Sequence, residues 1–377
     1  MYLKSLKYHR KYKNNEWEIK NGVDEMSLLQ LYSINLIVGK NATGKSNTIL
    51  VLDTLADLVS GLHNPNELVY DTAEYTAEFV EGNSKYEYHL AYRDGIVISE
   101  TLDINEKRMI DRKKGEIYYE SVGGMMSFKT DETVLAVAKR DSVQHSYLDP
   151  LHEWGLQLRC YQFGTSMGKS RLEKDEHSIK IVNIKDTDEV VATFLRGEAL
   201  DKQFAQYVLK DMKNLNYSIK RIDTRVLKAP VIDGIGLAVE EDGLVDYTDQ
   251  IEMSSGMFRA LSLLIQMEYA ILVDTPQCIL IDDIGEGLDY DRSWKLIEMI
   301  IKKAKASKMQ VIMTTNDRFV MNKVPIQYWQ VIARDKRGIR FYNQENSPQV
   351  FKQFAYMGLN NFDFFASEFY KGLTIIN

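Results

Sequence analysis

The chain has 377 residues, 45% of them hydrophobic and 27% charged, enough to bury a sizeable core in one large or two modest domains. A net charge of −7 excludes the global basic field that carries nucleic-acid binding and leaves room only for local basic patches. No signal peptide opens the sequence, no apolar run reaches the ~18 residues of a membrane helix, and the two cysteines, Cys160 and Cys278, are too few for a disulfide framework. A cytoplasmic protein without a membrane partner is expected.

The chain opens with strand-like alternation, as in Tyr2-Leu3 and Trp17-Glu18-Ile19. Lys4, Lys7, Arg10, Lys11 and Lys13, interleaved with Tyr2, Tyr8 and Tyr12, form a basic run there. Such a run is ordinarily a solvated strand edge, and a ligand surface is the competing reading. The apolar stretch Ile34-Asn35-Leu36-Ile37-Val38 then ends at Gly39, the pattern of a buried strand.

From Gly39 onward the sequence fits G-x-x-x-x-G-K-[ST] in full: Gly39-Lys40-Asn41-Ala42-Thr43-Gly44-Lys45-Ser46. Glycines let the backbone curl so that successive N–H groups face a phosphate, and the next helix aims its positive end at the same point. Lys45 would bridge the β- and γ-phosphates and Ser46 would give its hydroxyl to Mg²⁺. Gly39, Asn41, Ala42, Thr43, Gly44, Lys45, Ser46 and Asn47 are the expected nucleotide contacts. Ile49, Leu52, Ala56 and Val59 recur at helical spacing, so the strand feeds a helix, as the motif requires.

Residues 66–135 read as strands with turns such as Arg93-Asp94-Gly95. Helical periodicity is expected over about 131–160 and again over about 187–215, where Val190, Phe194, Phe204, Val208 and Met212 face inward. The charged piece 169–185 between them reads as a loop. From residue 254 the rhythm becomes helix, strand, helix, strand, that of a mostly parallel sheet. One helix over about 256–273 carries Met257, Ala260, Leu261, Leu264 and Ile271 on one face. A strand over 278–281 comes next, then a helix over about 291–305 with Trp294, Ile297, Ile301 and Ala304 inward, then a strand over 311–314. A strand pair near 327–342 and two short helices close the chain, with Phe362, Phe364, Phe365, Phe369 and Tyr370 as a packing cluster.

Two further constellations bear on chemistry. Ile279-Leu280-Ile281-Asp282-Asp283 is an apolar strand ending in carboxylates, and an aspartate there can hold Mg²⁺ beside a phosphate loop. Ser254, in Met253-Ser254-Ser255-Gly256-Met257-Phe258-Arg259, opens a helix. A plain N-cap is one reading; a hydroxyl and free N–H groups offered to a γ-phosphate is the other.

The stretch from Asp282 to Asp289 resembles the Walker B motif and D-loop of ATP-binding-cassette (ABC) ATPases, and Ser254-Ser255-Gly256 resembles a degenerate form of their signature. The resemblance implies that Asp282 is the Mg²⁺ residue, Asp283 the catalytic carboxylate, and Asp289 the D-loop aspartate. It implies that Ser254 and Gly256 contact a nucleotide held by another copy of the chain. Asn316, in Thr314-Thr315-Asn316-Asp317, stands where the family often has a histidine that senses the γ-phosphate. Asp283 stands where glutamate is usual; Glu286 is a candidate substitute. The implied cofactors are ATP and Mg²⁺, the implied catalytic residues Lys45, Asp283 and Asn316, and the implied assembly a homodimer or higher homo-oligomer.

In Lys45 and Ser254, 209 positions apart, the spacing far exceeds that of transporter cassettes, and no sustained heptads fill it. Together with Leu158-Arg159-Cys160-Tyr161-Gln162-Phe163-Gly164-Thr165-Ser166, this resembles the compact cassette-like ATPases of bacterial phage-defence and abortive-infection systems, including the overcoming-lysogenisation-defect relatives. With sixty residues after Asp317, the nuclease domain of those relatives is expected to be absent. The expected fold is α/β, a P-loop NTPase of ABC type with a mostly parallel sheet flanked by helices, an antiparallel β subdomain and a helical insertion. Its parts are 1–135 with the phosphate loop, 136–230 as a mainly helical insertion, and 231–377 with the remaining motifs. The expected function is an ATPase that senses or scaffolds, controlling a separate protein effector such as a nuclease or toxin in anti-phage defence. A DNA-binding repair or replication ATPase is the alternative, although the charge does not indicate nucleic acid. The long insert and the missing signature glutamine disfavour a transporter subunit.

Overall fold

The computed structural model describes residues 1–21, 28–139, 141–174, 183, 185–228, 233–273 and 278–371. Most of the loop expected at 169–185, namely 175–182 and 184, lies outside them. The chain divides into two compact units, Met1–Leu158 with Gln310–Asn377, and Arg159–Met309.

In the first unit the strand Ile34–Val38 is buried at all five positions, because a strand covered on both faces has no solvent side to alternate toward. Gln310–Thr315 and Trp329–Asp335 flank it, both parallel to it. Gly338–Tyr342 hairpins back against Trp329–Asp335 and runs parallel to Asn15–Asn21. From there the pairing turns antiparallel through Tyr2–Tyr12, Thr72–Glu81, Ser84–Arg93, Ile96–Ile104, Lys107–Asp111, Glu116–Tyr119 and Gly124–Ser127. In Thr72–Glu81 the inward residues are Ala73, Tyr75, Ala77 and Phe79, the period of two of a strand with one wet face.

The helix Lys45–Ser60 packs on Asp149–Gln157, and Gly155 permits the approach: a Cβ there would lie 2.4 Å from the Ala56 carbonyl oxygen. Beside the terminal helices Pro348–Ala355 and Asn361–Ala366, Phe364, Phe365 and Tyr370 of the aromatic cluster are buried as core packing, while Phe362 and Phe369 stay half-buried.

Among the described residues no α-helix forms over 131–148, where helix was expected; Asp149–Gln157 is α-helical, and the strand Arg159–Gln162 comes after it. Long-range side chains take the backbone groups a helix would need. Glu100, fully buried, accepts from Ala136 N at 2.7 Å and Val137 N at 2.9 Å. Arg112 donates to the carbonyl oxygens of Val134 at 2.7 Å and Asp131 at 2.8 Å. Burial raises the Glu100 carboxyl against these stabilising contacts.

The second unit pairs Arg159–Gln162 parallel with Cys278–Asp282 and holds a three-stranded antiparallel sheet of Ile219–Leu227, Gly234–Glu241 and Thr248–Asp249. Its helices are Val190–Leu200, Phe204–Asn214, Ser255–Leu272 and Tyr290–Ser307. Val190, Phe194, Phe204, Val208 and Met212 are all buried. Ser255–Leu272 is buried on most of its circumference, as an all-round apolar helix must be. The inward face of Tyr290–Ser307 is centred on Ser293, Leu296, Ile297, Ile300 and Ala304, which leaves the expected Trp294 and Ile301 at its half-buried margins. Inside this unit Lys303 Nζ lies 2.7 Å from Asp211 Oδ2 and also bonds Glu268, tying three helices through a mostly buried ion triad.

Candidate functional site

The first unit carries the phosphate loop. Its strand delivers Gly39 into a space that only glycine fits, since a Cβ would lie 2.3 Å from Ile332 Cγ2. The loop closes on itself: Thr43 Oγ1 donates to Lys40 O at 2.8 Å, and Lys45 Nζ donates to Gly39 O at 3.1 Å and Lys40 O at 3.3 Å. Ala42 and Gly44 both adopt left-handed backbone, with φ of 58° and 107°. Gly44, which has no side chain, then caps the helix Lys45–Ser60, whose N-terminus carries the positive end of the helix dipole. Ser46 and Asn47 are exposed on that turn. Such a loop can wrap a phosphate, with Lys45 already folded over its carbonyls.

Asn316 meets this loop directly. It succeeds the buried strand Gln310–Thr315, and its Nδ2 donates to Asn41 Oδ1 at 2.9 Å. Asp317 caps the next short helix through Phe319 N and Val320 N. Sequence reasoning missed three neighbours of the loop. Arg334 Nη1 donates to Ala42 O at 3.0 Å, Lys40 pairs with Glu368 at 2.9 Å, and the Trp17 ring lies 3.5 Å from where a Gly44 Cβ would stand. Lys371 and Lys40 together hold the Glu368 carboxyl down to about 2. Of the basic N-terminal run, Arg10 stacks over Tyr70 at 4.2 Å and Trp17 at 5.3 Å.

The second unit carries the carboxylates. Asp282 ends its strand half-buried, and Asp283 comes next in left-handed backbone with φ of 53°. A tight turn closes with Glu286 N donating to Asp283 O at 3.1 Å and Leu288 N to Gly285 O at 3.0 Å. Asp289 is an N-cap: Oδ1 accepts from Arg292 N at 3.0 Å and Oδ2 pairs with Arg292 Nη1 at 2.8 Å. These bonds, the backbone one foremost, hold its carboxyl below the usual range. Ser254 is also an N-cap, its Oγ accepting from Met257 N at 3.2 Å. Both residues thus perform the ordinary structural task their positions suggest. Gly256 packs against the Asp283–Asp289 turn, where a Cβ would meet Gly287 O at 2.5 Å.

No motif in the sequence gives Gln162 a role. The parallel register sets it opposite Asp282, and Phe163 N donates to Asp282 O at 3.0 Å, so both side chains leave neighbouring strands at the same end. Gly164 then passes beside two carboxylates, with a Cβ there 3.8 Å from both Asp283 Cβ and Glu286 Cγ. The signal available in sequence was only the short stretch Arg159-Cys160-Tyr161-Gln162 before Phe163-Gly164. Among the described residues no group of three or more His, Cys, Asp and Glu side chains could hold a metal ion.

No family model matches the sequence, and the search of curated proteins returns no relative. Solved structures do match. One is an Smc head bound to the C-winged helix domain of ScpA, at 13% identity and a TM-score of 0.52, covering 90% of this chain and 97% of that one. A second is an Smc head domain with an extended coiled coil, bound to the C-terminal domain of ScpA, derived from Pyrococcus furiosus. It also has 13% identity and a TM-score of 0.52, and covers 94% of this chain and 99% of that one. The fold is that of the ABC-type P-loop ATPases. Among the described residues no helix is long and apolar enough to cross a membrane.

Proposed function

We propose that this chain binds and hydrolyses ATP at composite sites between two of its copies, and uses that association to control a separate effector protein. The observation that carries the reading is the complete phosphate loop, folded between a buried parallel strand and the start of the helix Lys45–Ser60, with Lys45 turned back over the loop's own carbonyls. Lys45 neutralises charge on the transferred phosphoryl group, and Ser46 and Asp282 are the protein's contributions to Mg²⁺. Asp283 orients the attacking water, with Asn316 on the γ-phosphate side, and Ser254, Gly256 and Asp289 serve the nucleotide of the second copy. Gln162, in register with Asp282, is added as a polar ligand for metal or water. The phage-defence setting, with a nuclease or toxin as effector, is the biological reading the sequence resemblance supports.

The test is ATP binding and sedimentation with and without ATP. The parent is expected to bind ATP and self-associate with it, and Lys45→Ala to lower affinity by about a hundredfold or more, as the loss of a charged phosphate contact requires. A parent that binds no ATP, or a Lys45→Ala variant that binds as the parent does, would sink the proposal.

The second reading is a DNA-binding repair or replication ATPase, and the likeness in fold to Smc heads is compatible with it. It expects turnover stimulated by DNA and binding that weakens steeply with salt. A flat response to DNA at low salt removes it.

A further inference from the structure

Arg259 lies on the helix that Ser254 caps, and its guanidinium makes three hydrogen bonds, all to main-chain carbonyl oxygens of other segments. Nε donates to Thr165 O at 2.7 Å, Nη2 to Gly164 O at 2.9 Å and Nη1 to Glu286 O at 2.9 Å. The first two acceptors lie just past Gln162, and the third lies in the turn after Asp283. Space is made for the group: Gly287 has φ of 79°, and a Cβ there would lie 2.8 Å from Nη1. The planar guanidinium holds its donors apart in fixed directions and so reaches three carbonyls of separate segments at little entropic cost; a lysine ammonium gathers its three donors on one nitrogen at the end of a flexible stem.

The surrounding contacts run the same way. Lys169 Nζ donates to the Met253 carbonyl, and Gln250 Nε2 donates to Lys169 O at 2.9 Å and Arg171 O at 2.8 Å. The loop after Gln162 is thereby bound at one end to Arg259 and at the other to the segment leading into Ser254.

We propose that Arg259 is a positioning residue that locks the Gln162 loop, the Asp283–Asp289 turn and the Ser254 helix into one rigid body. A displacement of Ser254 on meeting a second copy's nucleotide then moves Gln162 and Asp283 with it. The mechanical part stands on the hydrogen bonds alone. Its consequence for turnover rests on the nucleotide reading above, and the experiment separates the two.

The first measurement is hydrogen–deuterium exchange of the full chain without nucleotide. In Arg259→Ala, amides of 164–167 and 285–288 should exchange about tenfold faster together, while those of 260–270 keep the parent rate, since local opening is set by the bonds that tie each segment. Unchanged loops overturn the proposal, as does faster exchange spread through the whole unit, which would make Arg259 a general stabiliser. The second is ATP turnover: kcat should fall about tenfold in Arg259→Ala with KM within about twofold, and Arg259→Lys should fall between it and the parent. An unchanged kcat, or a KM that rises alone, overturns it. A parent without ATPase activity defeats the nucleotide reading instead, and the exchange measurement still decides the clasp.

Discussion

The phosphate loop and the carboxylate cluster are built by opposite means. In the loop, geometry is set by residues within about eight positions of one another: two left-handed residues, a threonine and a lysine bonding the loop's own carbonyls, and the start of a helix. In the cluster, the pieces are spread over more than a hundred positions. They are joined by a strand register, by Arg259 to Gly164, Thr165 and Glu286, and by Gly256 against Gly287. The lesson is that a local motif carries its own scaffold, whereas a dispersed site depends on bonds that no short pattern encodes. Substitutions in the loop should remove binding and leave the unit folded; substitutions in the cluster should separate binding from turnover.

The largest expected effect that sharpens this contrast is at Asp283. Asp283→Asn removes the carboxylate proposed to orient water, and turnover should fall about a hundredfold or more while ATP affinity stays near the parent's. If turnover persists, the neighbouring Glu286 carries the role. Measuring single-turnover hydrolysis beside equilibrium binding separates the two.

A second effect lies in stability. Lys303→Met leaves Asp211 and Glu268 mostly buried without their cation, which should cost about 3 kcal/mol in chemical denaturation. Burial, opposed by Lys303, already pushes the Asp211 carboxyl up to about 6. A raised folded value means its stabilising contribution is complete below the ordinary carboxylate range and is lost as pH rises through about 6. The deficit of Lys303→Met should therefore narrow as pH falls from 7 to 5, and a pH-independent deficit would contradict the burial account. Phosphate-loop variants should show no such pH trend.

Legibility in the sequence followed the same division. The strand Ile34–Val38, the loop and the helix Lys45–Ser60 could be read because strand, turn and helix signals are contiguous there. Ser254 could be read as a helix start and is a cap, whereas Asp289, legible only through the D-loop resemblance, also proves to be a cap. Gln162 could not be placed, because its meaning comes from lying beside Asp282 in register, a pairing that spans 120 positions. The helix expected over 131–148 failed for the same reason, since the backbone groups of 131–137 are claimed by Glu100 and Arg112 from distant strands. The sheet of Ile219–Leu227, Gly234–Glu241 and Thr248–Asp249 had no reading, since it falls across a boundary drawn on helical periodicity.

The central claim is that each nucleotide site takes its phosphate loop from one copy and its signature from another. Mixing two inactive variants, Lys45→Ala and Ser254→Arg, tests it most directly. A mixed dimer keeps one intact site, formed by the phosphate loop of one variant and the signature of the other. With random pairing the mixture should recover about a quarter of the parent's turnover per chain. Turnover no greater than the sum of the separate variants would contradict the composite site.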